Sequence, residues 1–129
     1  MQGNGYQKQF VIPKKIVDEI LSVSESLRYI LVVDQNGEAV FSHTTPRSLI
    51  SDGQSESVAK DIHFLRGLLK VYDDIVGENI FTHMIRERGH ILIFHKQGWL
   101  FLVTCDNSSR HEVADVADSV EEIITRHMQ

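Results

Sequence analysis

Tyr29-Ile-Leu-Val-Val-Asp-Gln-Asn-Gly-Glu-Ala-Val-Phe-Ser42 is the stretch that decides the fold. Its first part, Tyr29 to Asp34, is a β-branched apolar run, and its last, Glu38 to Ser42, is shorter and mixed. Asn36-Gly37 lies between them, and both residue types tolerate the positive φ of a tight hairpin turn. The stretch therefore predicts two antiparallel strands. A strand that is apolar throughout is covered on both faces, which places the first strand centrally and the second nearer an edge.

Upstream, Ile16, Val17, Ile20, Leu21 and Leu27 recur at helical spacing behind Pro13, which suits a first helical turn. They predict a helix over about Pro13 to Ser24. Residues 1–12 are polar and Gly-rich and read as a flexible tail, which leaves 13–129 as one domain. Downstream, residues 43–56 read as a long polar loop. Ser55 or Ser57 can cap the helix that follows, and Gly77 stops it.

That second helix carries two apolar stripes. Val58, Ile62, Leu65, Leu69, Tyr72 and Val76 form one, and Phe64, Leu68, Val71 and Ile75 form the other. Together they span roughly half the circumference, against the ~100° that packing on a sheet needs. One stripe is expected in the chain's own core, and the other needs a different cover.

Three strands follow in a meander, Asn79 to Arg86, His90 to His95 and Trp99 to Cys105. The last is continuously apolar and central. The first, with Thr82, His83 and Arg86, suits an edge. Ser109 and Glu112 stand at capping-box spacing before a final helix marked by Val113, Val116, Ala117, Val120, Ile123 and Ile124. The order is α-β-β-α-β-β-β-α, an α/β (α+β layered) chain with a five-stranded antiparallel sheet between helices. Leu31, Val33, Leu100, Leu102 and Val120 are its expected core.

Composition narrows the function classes. The 129 residues, 42% hydrophobic and 24% charged, suit one globular domain. A formal net charge of -5 disfavours binding nucleic acid through counterion release. The 1 Cys permits no internal disulfide, and no apolar run reaches the ~20 residues that span a bilayer. The expected location is the cytoplasm, with no membrane span. Glycine-rich phosphate loops are absent. The 7 His lack zinc-ligand spacing, and only His83 with His90 could meet, across a strand pair. Cys105 ends an apolar strand and reads as a small hydrophobe rather than a nucleophile. Asp73-Asp74 and Glu121-Glu122 read as solvated helix faces, and Trp99 as a packing residue. No cofactor, no metal and no enzyme activity are expected.

The element order, with Leu31-Val32-Val33-Asp34 and Asn36-Gly37-Glu38 in the first hairpin, resembles the Roadblock / dynein light-chain family of the longin-like and profilin-like group. It is also similar in order to small archaeal proteins of this fold. The resemblance covers about Pro13 to His127. It implies one helix on one sheet face and two on the other, with the first and fifth strands central and the third at an edge. It further implies a non-enzymatic homodimer that scaffolds or regulates a small GTPase or a larger assembly. The interface expected from the second stripe and the edge strand comprises Phe64, Leu68, Val71, Ile75, Ile80, Phe81, Thr82, His83, Met84 and Ile85. The alternative is a profilin-like sensor holding a small ligand between the sheet and the 43–56 loop.

Overall fold

The computed structural model describes residues 14–106 and 110–128. The expected tail, Pro13 and the Ser109 capping box lie outside them. The elements are α1 (Lys14–Leu21), β1 (Leu27–Val33), β2 (Ala39–Thr44), α2 (Ser55–Leu69), α3 (Asp73–Val76), β3 (Phe81–Arg86), β4 (Gly89–Lys96), β5 (Trp99–Cys105) and α4 (Arg110–His127). The strands form one antiparallel sheet in the order β2-β1-β5-β4-β3. The apolar β1 and β5 are central neighbours, and β2 and β3 are the edges, as the sequence patterns predict.

Turn chemistry fixes the register. Gly37 takes φ of +86°, and the Asp34 carboxylate accepts the Asn36 and Glu38 amides at 2.9 and 3.0 Å. Asp34 thus mimics a backbone turn from outside the Asn-Gly pair. At the β4–β5 turn, Gln97 and Gly98 take φ of 52° and 85°, the paired positive values that a two-residue hairpin requires.

Alternate residues of each strand feed two cores. On one face, Ile30, Val32, Leu92, Phe94, Phe101 and Val103 meet Ile16, Val17 and Ile20 of α1 and Val113, Val120 and Ile124 of α4. Glu19 ties these two helices together, accepting from Arg126 at 2.7 Å and lying 3.3 Å from His127. On the other face, Tyr29, Leu31, Val33, Ile93, Leu100 and Leu102 meet Ala59 and Ile62 of α2. Leu31, Val33, Leu100, Leu102 and Val120 are all at most 1% exposed, in the core where the sequence puts them.

Four local expectations change. Helix α1 stops at Leu21, and Leu27 instead opens β1. The serines between form a turn, with the Ser24 and Ser26 hydroxyls 2.8 Å apart. Strand β2 runs on to Thr44, and a 3-10 turn, Asp52–Gln54, leads into α2, so the loop is shorter than 43–56. Ser55 is the first residue of α2 rather than its N-cap, and its hydroxyl is buried, 2.6 Å from the Tyr29 hydroxyl. Finally, the second helix is not continuous. A 3-10 turn, Lys70–Tyr72, separates α2 from α3.

Candidate interaction surface

Helix α2 reaches the sheet through small residues. Ser55, Ala59 and Ile62 are its only buried positions, and alanine lets the helix lie close to the strands. One turn further on, Arg66 ends the contact. Its guanidinium donates to the Gly98 carbonyl at 2.7 Å and the Asp34 carbonyl at 3.3 Å, and it sits 2.7 Å from His63 Nδ1. Those carbonyls belong to the β4–β5 and β1–β2 turns, where the strands stop. Whatever follows Arg66 therefore overhangs the end of the sheet.

The overhang is apolar. Phe64, Leu68, Leu69, Val71, Tyr72, Ile75, Val76 and Ile80 are between 40% and 78% exposed. The four residues of the second stripe, Phe64, Leu68, Val71 and Ile75, are all among them. The first stripe departs from expectation at this point. Val58, Ile62 and Leu65 are at least partly buried, but Leu69, Tyr72 and Val76 are exposed, Leu69 lining an open groove with His95 and Lys96 at the end of β4. The uncovered surface is larger than the sequence pattern implies.

Strand β3 continues this surface along the sheet edge. It pairs with β4 alone, so its outer side has no strand partner among the described residues. Ile80, just before it, and Leu69 line one groove. Ile85 is exposed, and Thr82 and Met84 are half-buried; Met84 packs against the α2-side core. Phe81 and His83 turn to the other face. Phe81 packs on Phe94 with ring centroids 5.1 Å apart, and His83 Nε2 lies 2.9 Å from His90 Nδ1. Leu69 and Ile80 share that groove with polar and charged neighbours including Arg66, Lys70, Asp73 and Glu78, while Phe81 and His83 serve the α4-side packing.

The groups considered for catalysis have other environments. Cys105 is 4% exposed, and burial, followed by the charge of Asp106, pushes its thiol up to about 11. At neutral pH it is a thiol, not the thiolate that attacks or binds metal. The His83–His90 hydrogen bond needs one imidazole nitrogen as acceptor, so it holds only while one ring is neutral. Among the described residues, no group of three His, Cys, Asp or Glu side chains comes together around a possible metal ion. Burial, then the Arg66 charge, lowers the His95 pKa. Trp99 is buried in the α4-side core, and Glu121 and Glu122 are exposed on α4.

No family model and no curated protein matches the sequence. Solved structures do match the fold. The gliding protein MglB from Thermus thermophilus superposes with a TM-score of 0.71 over 89% of this chain and 87% of that one, at 14% identity. A Roadblock/LC7 domain from Streptomyces avermitilis gives 0.64 over 89% and 97%, at 10% identity. This chain has the Roadblock/LC7 fold. A further MglB structure of that fold, described as having a tetrameric arrangement, gives 0.64 over 88% of each chain at 12% identity. The shared fold agrees with the element order and the central β1–β5 pair. Among the described residues, no helix is long and apolar enough to cross a membrane.

Proposed function

We propose that this chain is a non-enzymatic, cytoplasmic homodimeric module that scaffolds or regulates a small GTPase or a larger assembly. The observation that carries this reading is the apolar overhang running from α2 through α3 to the edge of β3. Large contiguous apolar patches on a soluble protein mark interaction sites. A strand edge with free N–H and C=O groups invites pairing. A twofold axis beside β3 covers both at once, since the same surface meets itself. The interface then comprises Phe64, Leu68, Val71 and Ile75 with the Ile80–Ile85 edge, widened by Leu69, Tyr72 and Val76. An assembled relative among the MglB structures supports the same reading, and the Roadblock resemblance supplies the GTPase or scaffold partner.

Light scattering on the purified chain tests the dimer. Wild type is expected at twice the 14.7 kDa chain mass. Leu68 is 58% exposed, so Leu68→Glu is compatible with the isolated fold but places a charge in the dimer contact, at a cost of several kcal/mol. The expected product is a folded monomer with unchanged circular dichroism. A monomeric wild type, or a Leu68→Glu chain that only unfolds, contradicts the reading. For the partner, retention of a GTPase on the immobilised chain in GTP but not GDP is the expected result.

A further inference from the structure

The opposite end of the sheet holds a cleft of about 150 Å³, lying between the segment after β2 and the β3–β4 hairpin. Half-buried Ile50 and Ile91 form its apolar floor, with the exposed Leu49 at its side, and four arginines, Arg28, Arg47, Arg86 and Arg88, line it. Asp106 is the one carboxylate among the lining residues. Four guanidiniums against one carboxylate leave an excess of three positive charges, on a chain whose formal net charge is -5.

The arginines come from three separate places in the chain, β1, the segment after β2 and the β3–β4 hairpin, which supplies both Arg86 and Arg88, and the backbone sets the direction of at least one of them. Leu27 pairs with Cys105 and Tyr29 with Thr104, so Arg28 is an extra residue in β1. Such a bulge re-aims its side chain. Arg28 Nε donates to Asp106 Oδ1 at 2.9 Å, which uses up the only lining carboxylate. Glu25 adds a weaker pull on Arg28, and Glu87 lies in the hairpin turn outside the lining. The side chains of Arg47, Arg86 and Arg88 make no hydrogen bond or close ion pair with any described residue, although the charge of Arg47 adds, after that of Arg28, to the lowering of the Asp106 carboxyl pKa. Gly89 forms part of the wall by necessity, because a Cβ there would stand 2.6 Å from the Cys105 carbonyl oxygen.

We propose that this cleft binds a small amphiphilic carboxylate, with an apolar body about the size of one ring on the floor and its carboxylate against Arg47, Arg86 and Arg88. An apolar cavity of about 150 Å³ has room for a benzene ring, which sets the size of the body. Guanidinium forks match carboxylate and phosphate oxygens in paired hydrogen bonds, which sets an anionic head group, and a carboxylate is the smallest that fits beside an apolar body. A bare inorganic anion would leave the floor of Ile50 and Ile91 unused. This gives a location to the small-ligand alternative raised by the sequence; its lining shares no residue with the proposed dimer surface, although Arg86 directly follows Ile85 at the end of that surface.

The test is a titration of the full chain, followed by amide NMR shifts, with benzoate, benzamide and inorganic phosphate as separate probes. Benzoate is expected to saturate, with shifts centred on Gly89, Ile91 and Thr104. Benzamide, of the same shape without the charge, is expected to bind at least about tenfold more weakly, and phosphate should not displace benzoate. Arg47 and Arg88 are exposed, so Arg47→Gln with Arg88→Gln should leave the fold intact, weaken benzoate about tenfold or more and leave benzamide unchanged. Equal binding of benzoate and benzamide, displacement by phosphate, or undiminished benzoate binding to the double variant overturns the proposal. So does a lack of saturable benzoate binding, or shifts that map away from the cleft.

Discussion

Cys105 sits opposite His90 in the β4–β5 register, an arrangement that would suggest a reactive pair if burial did not decide otherwise. Its pKa rises from 9.0 to about 11, chiefly by burial. A group whose folded pKa is raised contributes stability that is complete below its unfolded value and lost as pH rises through the folded one. Stability is therefore expected to fall between about pH 9 and pH 11, and the buried Tyr29 hydroxyl, also raised by burial, acts in the same direction. Iodoacetamide at pH 8 should label Cys105 slowly in the native protein and rapidly in urea; equal rates would show that the thiol is open to solvent. The sequence placed Cys105 correctly as a small hydrophobe, because the apolar run ending on it is a local pattern. Gly37 was legible only in part. Asn-Gly announced the positive φ, but not that the turn lies against α2, where a Cβ would stand 2.5 Å from the His63 ring. That proximity comes from helix placement, which no local spacing encodes.

Among the elements, α2 shows best where periodicity stops being informative. The stripes Val58–Val76 and Phe64–Ile75 assume one continuous helix, and up to Leu65 the assumption holds. Beyond it, Gly67, whose carbonyl accepts the Lys70 amide at the end of α2, is the one local mark before the 3-10 turn at Lys70–Tyr72, and nothing local records that the strands end near Arg66. Helix α4 was readable throughout, because it lies over the sheet along its length and buries Val113, Val120 and Ile124 at the expected spacing. The Arg66 clamp was invisible for a different reason: its acceptors are backbone carbonyls of two distant turns, which any sequence would offer. Arg66→Met keeps much of the aliphatic stem and removes the donors to Gly98 and Asp34. Net hydrogen-bond contributions to a charged donor predict a loss of about 1–3 kcal/mol in urea denaturation. Faster amide exchange is expected in the 34–37 and 96–98 turns, with the α1–α4 face unaffected. A stability equal to wild type would mean that the clamp is incidental to docking α2.

At the scale of the whole molecule, the central and edge positions of the strands followed from strand hydrophobicity, since central strands must be apolar on both sides and edge strands need not be, whereas the division of helices between the two faces came from the Roadblock resemblance alone. The two candidate surfaces were unequally legible. The overhang gathers residues close in sequence, so Phe64, Leu68, Val71 and Ile75 could be singled out, whereas the arginine cleft joins the Arg86–Arg88 hairpin to Arg28 and Arg47, which only the tertiary fold brings near it. A monomer with this overhang exposes eight large apolar side chains between Phe64 and Ile80, and burying them against a second copy couples folding to association. When dissociation accompanies unfolding, mass action makes the melting temperature depend on concentration. A hundredfold increase in protein is worth about 2.7 kcal/mol, which for a pair of chains of this size corresponds to roughly 5 °C or more. Differential scanning calorimetry of wild type over that range should show the rise, and Leu68→Glu should melt lower and at a temperature that does not move with concentration. A wild-type midpoint unaffected by dilution would mean that the overhang stays uncovered in the folded protein, and the dimer would have to be abandoned.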